Sequence, residues 1–91
     1  MKIIIAGTGK VGSMLARQLT QEGYDITVID SDSNVLDSAL EQYDVMTIVG
    51  NCAAKNILSA AGVETADLLI AATGSDEINL LCCLTAHTLN S

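Results

Sequence analysis

Tryptophan and phenylalanine are missing from this chain, and Tyr24 and Tyr43 are its only aromatic side chains. Any core must therefore be made of Ile, Leu, Val, Ala and Met. With 49% apolar residues there is ample material for one. Such a core suits a parallel sheet covered by helices on both faces. Cations are nearly as scarce. Lys2, Lys10, Arg17 and Lys55 stand against 11 acids, for a formal charge of −7. No basic stripe exists to neutralise a phosphate backbone, which argues against nucleic acid and anionic lipid as partners.

Long apolar runs are absent as well. None approaches the roughly 18 residues of a membrane span, so no direct membrane insertion is expected. The charged-then-apolar opening is broken by Gly7 within a few residues, which marks a strand start rather than a signal peptide. The chain reads as cytoplasmic. Its cysteines, Cys52, Cys82 and Cys83, form no C-x-x-C pair; they suggest neither a disulfide framework nor a zinc site, and read as small buried side chains. Cys83 and His87 could share a helix face as metal ligands, but no further ligand completes a site. No metal is expected.

What the chain does contain is the run Lys2-Ile3-Ile4-Ile5-Ala6-Gly7-Thr8-Gly9-Lys10-Val11-Gly12. A short β-branched stretch leads into G-x-G-x-x-G, and helical spacing follows. A phosphate-binding strand–turn–helix requires that order: a tight turn at the first Gly, close approach of a pyrophosphate at the second, helix-on-strand packing at the third. The helix that begins here would point unpaired N–H groups at the ligand.

The rest of the chain alternates strand and helix with short connections. The first strand is expected at about Lys2 to Ala6. A helix follows from Lys10 to near Glu22, with Val11, Met14, Leu15 and Leu19 on one face, and Gly23 ends it. The second strand runs from about Asp25 to Ile29, with Asp30 at its end. After possible caps at Ser31 to Asn34, a second helix carries Val35, Leu36, Ala39, Leu40 and Tyr43. The third strand is Val45 to Val49. Asn51 is then read as the cap of a short helix holding Ile57, Leu58 and Ala61, ended by Gly62. The fourth strand is Asp67 to Ala72, and a last helix runs from near Ser75 to about Leu89. This βαβαβαβα alternation predicts an α/β, Rossmann-like doubly wound parallel sheet in order 3-2-1-4, stopping after the fourth βα unit.

Ligands in such sheets bind outside the carboxyl ends of the strands at the switch point, here Gly7 to Gly12, Asp30 to Asp32, Gly50 to Cys52 and Ala72 to Gly74. Asp30 lies 21 positions beyond Gly9, near the roughly 20-residue offset at which an acid reaches the adenosine ribose. A carboxylate there accepts ribose hydroxyls and repels a 2′-phosphate, favouring NAD over NADP. Asp30 could instead merely start the turn, and Asp32 reads as the helix cap. Lys10 suits a bound anion but could equally be a solvated cation. Asp76 and Glu77 complement the last helix's dipole and discourage a phosphate there. The candidate contacts are Gly7, Thr8, Gly9, Lys10, Val11, Gly12, Asp30, Ser31, Asn51, Cys52, Ala72 and Thr73, the last four open to an ordinary loop reading.

No catalytic constellation is visible, and a dehydrogenase would need a substrate domain that does not fit here. The sequence points to binding rather than turnover. The last helix is apolar all round at Leu80-Leu81-Cys82-Cys83-Leu84, so it is expected to be buried on more than one side. With the fourth strand's edge uncovered, that predicts a homo-oligomer.

Over essentially its whole length the chain resembles the N-terminal nucleotide-binding domain of Trk potassium-uptake regulatory subunits, the RCK or KTN (TrkA-N) family. The glycine motif and Asp30 are shared with NAD-binding domains at large. The strand Ala66-Asp67-Leu68-Leu69-Ile70-Ala71-Ala72-Thr73 running into Ser75-Asp76-Glu77-Ile78-Asn79 is more specific. The resemblance implies a non-enzymatic, cytoplasmic regulator at the inner face of the cell membrane. It would bind NAD(H), or ATP or ADP, and assemble as a dimer or higher oligomer beneath a membrane potassium transporter or channel subunit. The family's binding positions fall on Gly7, Gly9, Gly12, Asp30, Asn51 and Thr73. Family domains continue through further strands and helices, so residues 1–91 read as a fragment of a longer chain. Two other readings stay open: the nucleotide-binding fragment of an NAD-dependent oxidoreductase, and an interaction module whose site stays empty.

Overall fold

The computed structural model describes residues 1–34, 36–37 and 44–90. Four strands, β1 (Lys2–Ala6), β2 (Asp25–Asp30), β3 (Met46–Val49) and β4 (Leu68–Ala71), form one sheet in the order β3-β2-β1-β4. Every pairing is parallel, with Ile4 opposite Thr27 on one side and Leu69 on the other. This is the expected doubly wound order.

Helix α1 (Lys10–Gln21) links β1 to β2. Between β2 and β3, residues 33–34 and 36–37 are helical. Asp32 caps that start by accepting the Asn34 N–H (2.9 Å), as its short acceptor side chain favours. The remainder of the expected second helix, with Val35, Ala39, Leu40 and Tyr43, lies outside the described residues. Helix α2 (Lys55–Ala60) and a 3-10 turn (Val63–Thr65) lead into β4, and α3 (Asp76–Leu89) follows it. No helix among the described residues is long and apolar enough to cross a membrane.

Alternation along the strands divides the core. Ile3, Ile5, Ile26 and Val28 pack with Ala16 of α1, and with Leu36 and Val45, on one face. Ile4, Ala6 and Ile29 pack with Leu58 of α2 and Cys82 and Ala86 of α3 on the other. β1 is buried on both faces, which is why it reads as an unbroken Ile run.

Three expectations need correction. The buried side of α1 is Gly12 and Ala16, with Leu15 and Leu19 partly covered, while Val11 and Met14 are exposed. Small residues face the sheet because they let the helix axis approach it closely. Asn51 does not cap α2: its Oδ1 accepts the Ala53 N–H (2.9 Å) in a turn of its own, and the helix starts at Lys55 behind the N-cap Ala54. Cys83 is exposed rather than buried; on the same helix, α3, the side at Cys82 and Ala86 is buried within this chain, while Leu80, Leu81 and Leu84 are exposed on the side that the sequence assigns to a second chain.

Candidate functional site

The carboxyl ends of all four strands open onto one cleft of about 470 Å³. Its walls are the β1 loop (Gly7, Thr8, Gly9), the end of β2 (Ile29, Asp30, Ser31), the β3 loop (Gly50, Asn51, Cys52) and, beyond β4, Thr73, Gly74 and Ile78. The volume falls in the range of small-molecule sites, and the position is the switch point between β1 and β4.

The glycine loop is held tightly from below. Gly7 has φ +104°, and a Cβ there would meet the Ala72 carbonyl carbon and oxygen and the Thr73 nitrogen at 2.8 Å; no L side chain is accommodated. A Cβ on Gly12 would overlap the Gly7 carbonyl oxygen. Gly9 is different: its nearest neighbour would be Ala72 O at 3.9 Å. The loop is therefore closed at Gly7 and Gly12 and open at Gly9, where a ligand could lie against the backbone.

Helix α1 starts at this open point. Gly9 is its N-cap, contributes no side-chain cap, and no acidic residue stands in the first turn. The first amides of a helix lack intrahelical acceptors, and these face the cleft end of the sheet uncontested. An anion of phosphate type fits there.

Asp30 is tied to the loop. Its Oδ2 accepts the Thr8 N–H (2.9 Å) and the Thr8 hydroxyl (2.6 Å), and its Oδ1 accepts the Asp32 N–H (2.9 Å). Burial alone would raise its pKa, but these bonds, the Thr8 hydroxyl foremost, outweigh it and hold the carboxyl below its usual range. It is ionised at neutral pH. A negative group at this wall opposes a second phosphate near a ribose.

Across the cleft, Thr73 is fixed by Asn79. Asn79 Oδ1 accepts the Thr73 N–H (2.9 Å) and its hydroxyl, and Asn79 Nδ2 donates to the Thr73 carbonyl (3.3 Å). Ser75 caps α3 by accepting the Ile78 N–H (3.2 Å) while donating to Glu77 (3.1 Å). The Ser75-to-Asn79 stretch thus shapes this wall. Cys52 is buried in the cleft and adjoins Cys82 in the core. Burial raises both thiols, Cys82 to about 12, so neither is a thiolate near neutral pH.

Of the sequence-derived candidates, the cleft gathers Gly7, Thr8, Gly9, Asp30, Ser31, Asn51, Cys52 and Thr73. Gly12 lies beneath the loop as a packing contact, and Ala72 supplies backbone against Gly7, its N–H bonded to Ala6 O (2.7 Å). Lys10 and Val11 occupy the first turn of α1 with exposed side chains and do not line the cleft. Ile29 and Ile78 were missed; strand and helix periodicity marks both as core rather than wall. Among the described residues the lining includes one carboxyl, that of Asp30, and it is already engaged by Thr8 and Asp32. Among the described residues, no His, Cys, Asp and Glu group could hold a metal ion.

Residues 3–91 match the family model of the TrkA-N domain. The chain is 46% identical over 89 residues to the Trk system potassium uptake protein TrkA of Halomonas elongata, covering 98% of this chain and 20% of that protein. It thus spans about a fifth of that relative's length. Among solved structures, the TrkA-N domain of the inner membrane protein ybaL from Escherichia coli superposes with a TM-score of 0.90 at 26% identity, over 98% of this chain and 65% of that one. The Kef CTD of Shewanella denitrificans in its AMP-bound form superposes at 0.81 with 30% identity, over 97% and 52% of the two chains.

Proposed function

The chain belongs to the TrkA-N domain family, and from that membership we propose that it is the nucleotide-binding regulatory domain of a potassium uptake system. The observation that carries the proposal is the pairing of an uncapped α1 N-terminus with an ionised Asp30 across one cleft. The first suits phosphate and the second a ribose hydroxyl. An adenine nucleotide, NAD(H) or ATP or ADP, carries both groups. The AMP held by the Kef relative supports an adenine ligand. Gly7, Thr8, Gly9, Asp30, Ser31, Asn51, Cys52 and Thr73 would form the contacts, with Gly12 and Ala72 setting the loop.

The domain acts as a cytoplasmic regulator at the inner face of the cell membrane, beneath a membrane potassium transporter. A nucleotide moves the gate only through different affinities for the two states of the assembly. The outer face of α3, with Leu80, Leu81 and Leu84 exposed, is assigned to contact with a second copy. Micromolar light scattering on the eluting protein should show a dimer or larger; a monomer alone overturns that assignment.

Isothermal titration with NADH, NAD, NADPH, ATP and ADP, on wild type and Asp30→Ala, tests the ligand reading. NADH or ATP should bind, NADPH much more weakly, and Asp30→Ala should lose roughly tenfold or more. A folded wild-type protein that binds none of them would overturn it.

A further inference from the structure

Thr8 joins the glycine loop to Asp30, and it uses every polar group it has. Its N–H and hydroxyl both go to Asp30 Oδ2, and its carbonyl accepts the Ser13 hydroxyl (2.8 Å). The neighbouring Gly7 N–H is bonded to Ile29 O (2.7 Å). Thr8 is thus held from both sides and is not a freely rotating side chain.

A carboxylate oxygen has about two acceptor directions. Thr8 fills both on Oδ2. The Asp32 N–H takes one on Oδ1, and the Ser31 N–H lies near the same carboxylate. What Asp30 retains for a ligand is at most one acceptor position, on Oδ1. A carboxylate with both oxygens free can take the two hydroxyls of a ribose diol, one on each; this one is already half spent.

We propose that Thr8 sets the ribose specificity of the cleft: by occupying Asp30 Oδ2 it restricts the carboxylate to a single ribose hydroxyl, taken by Oδ1. The proposal rests on the nucleotide reading above. Thr8 is a positioning residue, acting on the ligand through Asp30. The same clasp withdraws the Thr8 N–H from the loop donors that meet a phosphate, leaving that task to the first amides of α1. Ribose and phosphate subsites are therefore linked through one side chain.

The test titrates ADP, 2′-deoxy-ADP and 3′-deoxy-ADP into wild-type protein, Thr8→Val and Thr8→Ser. Wild type should bind ADP and one analogue alike and lose roughly tenfold on the other, as expected for one hydrogen bond to a charged group. Thr8→Val removes the hydroxyl and vacates one of the two positions on Oδ2, the backbone N–H at position 8 keeping the other, so both analogues should then lose affinity against ADP. Thr8→Ser should restore the wild-type pattern. Equal losses, or no loss, with both analogues in wild type overturn the proposal while leaving the nucleotide site standing. A Thr8→Val pattern identical to wild type does the same. If wild type binds none of the three, this inference is overturned, and the titration with NADH, NAD, NADPH and ATP decides separately whether the nucleotide reading falls with it. A ligand-free readout checks the clasp itself: the NMR titration midpoint of the Asp30 carboxyl carbon should rise in Thr8→Val and return in Thr8→Ser. An unchanged midpoint in Thr8→Val overturns the clasp.

Discussion

The first turn of α1 carries no acidic side chain and no side-chain cap, whereas that of α3, one strand away, is closed by Ser75 and carries Asp76 and Glu77. Both helices begin at the same end of the sheet, behind the adjacent strands β1 and β4. Backbone sets the same problem at each: amides with no partner inside the helix. At α3 the chain solves it with its own atoms, and the loop before it is locked as well, through Asn79 and Thr73. At α1 no side chain of the helix start does so, and that end, at the mouth of the cleft, is the one proposed to meet the ligand.

The contrast can be broken most severely at Gly12. Replacing it with Ala drives a Cβ into the Gly7 carbonyl, backbone against backbone. A loss of about 3 kcal/mol in urea unfolding is expected, with the cleft lost because α1 no longer seats. Gly9→Ala is the sharper cut. Its Cβ has room, and Gly9 already adopts extended backbone that Ala accepts (φ −64°, ψ −169°). Stability should stay within about 0.5 kcal/mol, while nucleotide affinity falls about tenfold or more, roughly 1.4 kcal/mol. Undiminished affinity by calorimetry would mean that no ligand approaches the loop, and the two helix starts would no longer differ in purpose. Ser75→Ala is the smallest change. It should cost about 1 kcal/mol of stability, the usual worth of a cap, and leave nucleotide affinity unmoved. A large drop in affinity there would place the ligand on α3 after all.

Much of this was legible from residue order. The Ile run of β1, the glycine spacing and the Asp at the end of β2 specify a strand–turn–helix–strand whose parallel geometry follows from short connections. The α1 start at Lys10 and the strand order needed nothing more. The parts that were not legible depend on which atoms meet across the fold. Nothing local says that Thr8 and Asp30, 22 residues apart, share hydrogen bonds, so Asp30 reads as a free ribose acceptor rather than one already half engaged. Asn51 carries the chemistry of a helix cap, and its preference for a turn two residues ahead is a competition that spacing cannot decide. On α1, Val11 and Met14 have the right period but the wrong face, because Gly12 and Ala16 win the sheet side by being small.

Each loop leaving β1, β3 and β4 makes one more ladder bond before it departs: Gly7 N–H to Ile29 O (2.7 Å), Gly50 N–H to Asp30 O (2.9 Å) and Ala72 N–H to Ala6 O (2.7 Å). The floor of the cleft is therefore a continuation of the sheet. Its amides should exchange with solvent deuterium as slowly as those of β1 itself, by whole-domain opening rather than local fluctuation. A rigid floor transmits rather than absorbs: force applied by an occupant is passed to the helices seated on the sheet, and from there outward.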